Sequence, residues 1–337
     1  AIDVKTGGTN TYTTVEDSLS NLVTDAGDGA TAVAKDKVVT VNDTGTIAAS
    51  DISTVSANTT SAVDVTASAT ITGTATQLKT IVDDSGVTTS TNYNATVTGT
   101  GGNAATVSEL SSIDGDNGSG TMSVTAVGDS IDNIITYNAA ASANATILTN
   151  VSGTITANGT ENNDNGNFSS LGKGVTVDAG DGNDVITGTA FDDIITGGIG
   201  IDSLSAGSGG SDTFVFISGD SPTVLVGSLQ YDKILSFSSA NDKLDFGNTP
   251  VAVGANGATT VTLAGNASAT VQSDANGKIT FSTTSGTLAE ELAAVRTLVT
   301  KDGEVAFFEL NDGVNGVGTY VYQENTGDGN DLLVFLK

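Results

Sequence analysis

Aspartates recur every nine residues between positions 179 and 205, at Asp184, Asp193 and Asp202. The three units read AGDGNDVIT, GTAFDDIIT and GGIGIDSLS, with Asp sixth and an aliphatic residue eighth (Ile186, Ile195, Leu204). This is the pattern G-G-x-G-x-D-x-U-x. Carboxylates and glycine-rich backbone offer hard oxygen ligands, the kind that Ca2+ gathers in sets of about six to eight. The first six residues of each unit predict a turn that presents backbone carbonyls and one carboxylate. The last three predict a short strand with its aliphatic residue turned inward. Gly180, Gly182, Gly198 and Gly200 supply the positive φ and close backbone approach that such turns need. The candidate Ca2+ ligands are these four glycines, through their carbonyls, with Asp184, Asp193, Asp202, Asp212 and Asp232.

Two units make one circuit of the chain, so residues eighteen apart share an edge. Asp184 is expected beside Asp202, and Ile186 stacked on Leu204. Asp193 falls on the opposite edge with Asp212, nineteen residues on, which implies a one-residue insertion and a core capped by Phe214. Thr189 and Phe191 replace glycines in the middle unit, so its cation site is expected to be weak or missing.

Elsewhere, missing residue types exclude chemistry. The chain has no His and no Cys, which removes zinc sites of the HExxH type, His-based triads and thiol nucleophiles. No G-x-S-x-G elbow and no G-x-x-x-x-G-K-[ST] loop occur. A glycosidase-like carboxylate pair is the one catalytic option left, but Trp is absent and Tyr numbers six, so aromatic sugar platforms are scarce. The expectation is a protein that is not an enzyme.

The net charge is −28, from 39 acidic and 11 basic residues. Nucleic acid and anionic membrane are poor partners for such a chain, and divalent cations are its natural counterions. No apolar run reaches the roughly 18 residues of a membrane span. The chain starts at Ala1 with no signal-peptide pattern, so a processed form or the C-terminal portion of something longer is expected.

The elements that must position the aspartates follow from patterning. The fold class expected is all-β: a right-handed parallel β-solenoid or β-roll with calcium-binding turns and few short helices. Residues 1–165 form a Thr/Ala-rich, solenoid-like β-repeat region, for which an ordinary β-sandwich is the competing reading. Its apolar pairs Ile52/Val55, Leu78/Ile81, Leu110/Ile113 and Leu148/Val151 are spaced 26, 32 and 38 residues apart, an irregular repeat. TATQLKTIVDD and AATVSELSSID read as short helices, and TVEDSLSNLVTDAG as another. The acidic run DGDNGSG (114–120) reads as a plain turn in preference to a calcium loop, and ENNDNGN (161–167) likewise. Residues 166–247 hold the calcium-binding roll, closed by YDKILSFSSANDKLDFG, where Asp242 and Asp245 are either final ligands or solvated acids. Residues 248–337 form a β-rich cap with one amphipathic helix in TLAEELAAVRTLVT.

The nonapeptides, the DKILSF…NDKLDF closure and the C-terminal GTYVYQENTGDGNDLLVFLK together resemble RTX proteins exported by type I secretion. The resemblance covers roughly residues 170–337, and the Thr-rich half is similar to S-layer proteins of that class. It implies an uncleaved C-terminal export signal, Ca2+ that folds the roll outside the cell, and an extracellular or cell-surface location. The expected function is a calcium-dependent, self-assembling structural protein, an S-layer or surface-array subunit. Its partners would be copies of itself and cell-surface polysaccharide, with no nucleic acid and no membrane insertion. A calcium-dependent adhesin or glycan-binding module is the alternative, and a secreted hydrolase ranks third.

Overall fold

The computed structural model describes residues 13–28, 35–217, 219–220, 230–247, 251–252, 256–262, 268–273, 278–281, 287–311, 316–325 and 331–337. The chain divides into two compact units, residues 1–129 with 139–155, and residues 130–138 with 156–337.

The first unit runs β1 (Thr14–Asp17), α1 (Leu19–Ala26), β2 (Val38–Val41), β3 (Thr46–Ala48), α2 (Ala49–Ser56), β4 (Val63–Asp64), β5 (Thr70–Thr74), α3 (Ala75–Asp83), β6 (Val87–Thr88), β7 (Asn94–Thr98), α4 (Val107–Asn117) and β8 (Met122–Val124). The unit boundaries then fall within β9 (Val127–Ser130) and α5 (Ile131–Ala140), and α6 (Ser142–Thr149) follows. One parallel sheet has the order β1-β2-β4-β6 and the other β3-β5-β7-β8.

Their registers hold a 24-residue step: Thr14 pairs with Val38, Val39 with Val63, and Val63 with Val87. In the second sheet Ile47 pairs with Ile71 and Ile71 with Ala95, again 24 apart, before a 27-residue step from Ala95 to Met122. The irregular repeat expected from the apolar pairs is therefore corrected. Three of the four pairs lie on helices, the fourth straddles the end of α6, and the offset of helix from strand varies from one repeat to the next. β5 is two residues longer than β3 (five against three), which delays α3. The return is two residues shorter, with Ile81 to Val87 spanning six positions where Val55 to Val63 spans eight. Ile52, Val55, Leu78, Ile81, Leu110 and Ile113 are all buried.

The helices start where their capping residues dictate. Thr74 with Gln77, and Thr106 with Glu109, form reciprocal capping boxes at the heads of α3 and α4. The run read as a plain turn at 114–120 is the tail of α4 through Asn117, and only residues 118–120 form a turn. Asp116 there accepts the Thr89 hydroxyl at 2.9 Å.

The all-β expectation is overturned. Seven α-helices accompany five sheets among the described residues, and the chain is α/β-like in content, not an all-β solenoid. The physical reason is the i, i+3 spacing of the apolar pairs, which favours two to three helical turns over extended chain, reinforced by the Thr74 and Thr106 caps of α3 and α4.

In the second unit short strands alternate between two parallel sheets: β10 (Ile155–Thr160), β11 (Asn165–Asn167), β12 (Thr176–Gly180), β13 (Val185–Thr187), β14 (Ile194–Thr196), β15 (Ser203–Ser205), β16 (Thr213–Val215), β17 (Asp232–Leu235) and β18 (Lys243–Asp245). Even-numbered strands from β10 to β18 pair in one sheet, odd-numbered ones from β11 to β17 in the other. Ile186 lies opposite Leu204, eighteen residues on, and Ile195 opposite Phe214, nineteen on. Leu204 in turn meets Ile234, and Phe214 meets Leu244, each after 30 residues. The central side chains Ile186, Ile195, Leu204, Phe214 and Ile234 are fully buried.

The remainder comprises β19 (Val251–Ala252), β20 (Asn256–Thr262), β21 (Ser268–Ser273), β22 (Ile279–Phe281), α7 (Leu288–Val295), β23 (Glu304–Asn311), β24 (Val317–Gln323) and β25 (Leu332–Leu336). β20, β21 and β22 form an antiparallel sheet. β25 joins β24 antiparallel and β17 parallel, so the sheet of the odd-numbered strands runs on through β25, β24, β23 and β19. α7 packs Leu292 and Val295 into a core with Phe308, Tyr320 and Phe335.

Candidate metal centre

Apart from β10 and β12, each short strand from β10 to β18 is entered at an aspartate, and these aspartates form two ladders. Asp164 N–H donates to Asp184 Oδ1 (2.7 Å), Asp184 N–H to Asp202 Oδ1 (2.8 Å), and Asp202 N–H to Asp232 Oδ1 (2.7 Å). On the other edge Val175 N–H donates to Asp193 Oδ1, Asp193 N–H to Asp212 Oδ1 (both 2.8 Å), and Asp212 N–H to Asp242 Oδ1 (3.1 Å). Each carboxylate thus satisfies the backbone donor one rung away, which locks turn to turn. Asp184 and Asp202 share one ladder, and Asp193 and Asp212 the other.

Glycine permits the turns to stack this closely. Gly180 and Gly198 adopt φ of 95° and 92°, and Gly182 and Gly200 φ of 137° and 157°. A Cβ on Gly198 would land on the Gly180 carbonyl oxygen, and one on Gly180 on that of Thr160. Ile199 N–H donates to the Gly180 carbonyl at 3.0 Å, and Gly182 N–H to the Ile199 carbonyl at 2.8 Å.

The ladders are electrostatically costly. Asp184, Asp193, Asp202, Asp212 and Asp232 are all 2% exposed or less. Burial, with repulsion from Asp184 and Asp220, pushes Asp202 up to about 7. Burial, with Asp193, Asp242 and Asp192 nearby, takes Asp212 to about 6. Burial raises Asp184 and Asp193 as well. No basic side chain contributes to any of these shifts. Moreover, the second oxygens of Asp184 and Asp202 are buried without a protein partner. A buried acceptor left in this state is costly, and a cation would satisfy it.

The residues fit Ca2+ by this test: the donors are all oxygen, the carboxylates lack countercharge, and the glycines let the carbonyls of successive turns approach closely. Among the described residues no three acidic side chains converge as a metal cluster, so an ion here would draw most of its ligands from backbone carbonyls. Asp184 and Asp202 would hold it, and it would supply the positive charge their edge lacks.

Three further aspartates join the site: Asp242, which the sequence leaves open between ligand and solvated acid, Asp164, whose run reads as a plain turn, and Asp220, which the sequence reading misses. Asp164 heads the first ladder, but it lies 20 residues before Asp184, off the eighteen-residue step. Asp242 closes the second, satisfied on both oxygens by Asp212 N–H and Ser238 N–H. Asp220, 2% exposed, accepts Gly200 N–H on its carbonyl at 2.9 Å and so stacks beside the Asp202 turn. A Gly-Asp pair at 219–220 was its only signal. Asp245 is exposed and caps a local turn at Gly247. The second GDGND lies outside the described residues at 327–330. Its Asp331 is buried against Arg296 and the Tyr322 hydroxyl, so it serves as an ion-pair partner.

The chain matches no family model and no curated protein.

Proposed function

We propose that this is a calcium-dependent extracellular structural protein that assembles with copies of itself into a surface array, exported by a type I pathway in the manner of the RTX proteins it resembles. The observation that carries the reading is the ladder of Asp184 and Asp202, buried, uncompensated by any base, and short of one partner each. A chain at −28 needs cations both to fold such turns and to let its acidic faces approach one another. Binding that favours the folded form stabilises it by mass action, so calcium outside the cell would switch the turns on.

Electron microscopy of the purified protein with millimolar Ca2+ and with excess EGTA tests this, alongside circular dichroism. Sheets or filaments that form with calcium and dissolve with chelator are expected. Calcium-independent assembly, or a folded monomer at all concentrations, would refute the array.

One observation favours the adhesin reading. In the first unit a depression of about 720 Å³ is lined by hydroxyls, including those of Ser53, Ser56, Thr59, Thr60 and Thr80, with Asp84 at its wall. Ser56 Oγ donates to Asp84 Oδ2 at 2.6 Å, which fixes the carboxylate. Such a polar wall suits saccharide hydroxyls, and a glycan array probed with the monomer separates this reading from the first.

A further inference from the structure

Five of the ladder aspartates fall into two kinds, separated by the residue four positions earlier. Asp212 belongs to neither, since Ser208 at that place gives its N–H to the Thr189 carbonyl at 3.1 Å, and the residue four before Asp232 lies outside the described residues. Asp164 Oδ2 accepts the N–H of Thr160 at 2.7 Å and its hydroxyl at 3.0 Å. Asp193 Oδ2 accepts the N–H of Thr189 at 2.6 Å, and the Thr189 hydroxyl reaches Oδ1 at 2.9 Å. Asp242 Oδ2 accepts the N–H of Ser238 at 2.7 Å. Each of these turns is closed by its own Thr or Ser.

Asp184 and Asp202 have glycine at the same place, Gly180 and Gly198. Both glycines sit at positive φ, a conformation that Thr and Ser rarely adopt. Their N–H groups do not reach the carboxylates, and there Oδ2 is left buried and unpartnered. Neighbouring turns of one fold therefore differ in whether an acceptor oxygen stands open.

We propose that this position selects which turns take a cation: the turns ending in Asp184 and Asp202 bind Ca2+, and those ending in Asp164, Asp193 and Asp242 are held by their own hydroxyl residue and bind none. The inference rests on the calcium reading above and adds where the ions go. Among these five turns the ions fall on one ladder, that of Asp184 and Asp202, while Asp193 and Asp242 lie on the other. Asp220 strengthens the charged edge, because it stacks beside the Asp202 turn and its charge acts on Asp202. At Asp193 the Thr189 hydroxyl and N–H do what an ion does elsewhere, supplying positive ends of dipoles to a buried carboxylate.

Isothermal titration of the full chain with CaCl2, after EGTA treatment and exchange, counts the ions bound. Asp184→Asn is expected to bind fewer Ca2+ than the parent, Asp193→Asn the same number, and Thr189→Gly at least one more. Thr189→Ser, which keeps the hydroxyl, should keep the parent's number. Circular dichroism confirms that each variant is folded before it is counted. If the parent binds no Ca2+, the calcium reading itself fails. If it binds Ca2+ but Asp193→Asn loses ions as Asp184→Asn does, or Thr189→Gly gains none, the reading survives and the selection rule is overturned. Should Asp193→Asn not fold, the Thr189 pair decides alone, since a gained ion is visible only in a folded chain.

Discussion

Replacing Asp202 by Asn should have opposite effects with and without calcium. In the apo protein the Asp202 carboxyl is raised from 3.8 to about 7 by burial and by its acidic neighbours. Holding it ionised at pH 8 therefore costs the folded state about 4 kcal/mol. Asn keeps an oxygen in place of Oδ1 to accept Asp184 N–H, now at 2.8 Å, and carries no charge. Its amide group must be buried where Oδ2 has no partner, which takes back about 1–3 kcal/mol. The apo variant should thus be more stable than the parent by roughly 1–3 kcal/mol. With Ca2+ the order reverses, because the parent gains the binding free energy and the variant loses a ligand. Urea unfolding at pH 8 in EGTA and in millimolar CaCl2 reads both quantities from one protein pair. An Asn variant less stable than the parent in EGTA, or one that keeps the full calcium gain, would refute the account of this ladder as a charged edge awaiting a cation.

Two further predictions concern the same unit. Glu291 is fully buried on α7 with neither oxygen bonded, and burial, aided by Glu290, pushes it from 4.5 up to about 7. Between those pH values the folded chain keeps a proton that the unfolded chain has released, so stability falls as pH rises through this window, by about 3 kcal/mol in all. Glu291→Gln should flatten that slope in urea titrations from pH 4 to 8, and an unchanged slope would count against it. Leu204, fully buried between Ile186 and Ile234, should cost about 2–5 kcal/mol when cut to Ala. The urea midpoint should drop with an unchanged slope, and a loss under about 1 kcal/mol would mean the column is not a packed core.

What could be read from the sequence was what repeats at constant length. The nine-residue units fix the eighteen-residue register, so the pairing of Ile186 with Leu204 and the nineteen-residue step to Phe214 followed from counting. The jump to Ile234 and Leu244 did not, because one long connection between β16 and β17 lengthens one register from 18 to 30 and the other from 19 to 30. The N-terminal half misled for a different reason. Its most visible apolar residues belong to helices whose offset varies, while the strands that keep step are short and rich in Thr and Val, with little contrast against their surroundings. β25 beside β17 links Ile234 to Leu336 across 102 positions, and no local pattern carries such a pairing. At the candidate site the aspartates were visible, but the closing role of Thr189 required seeing where its hydroxyl points.

The 24-residue step of the first unit bears on how this part of the protein can change in length. Val39, Val63 and Val87 occupy equivalent rungs, as do Ile47, Ile71 and Ala95. Inserting or excising one whole step leaves every remaining rung facing a rung of the same kind. An insertion of any other size inside a strand turns its inward residues outward or strands them opposite a gap. Tandem copying of a whole step is therefore the change of length that keeps every rung matched, while the 27-residue step from Ala95 to Met122 fits its three extra residues into the connection between β7 and β8.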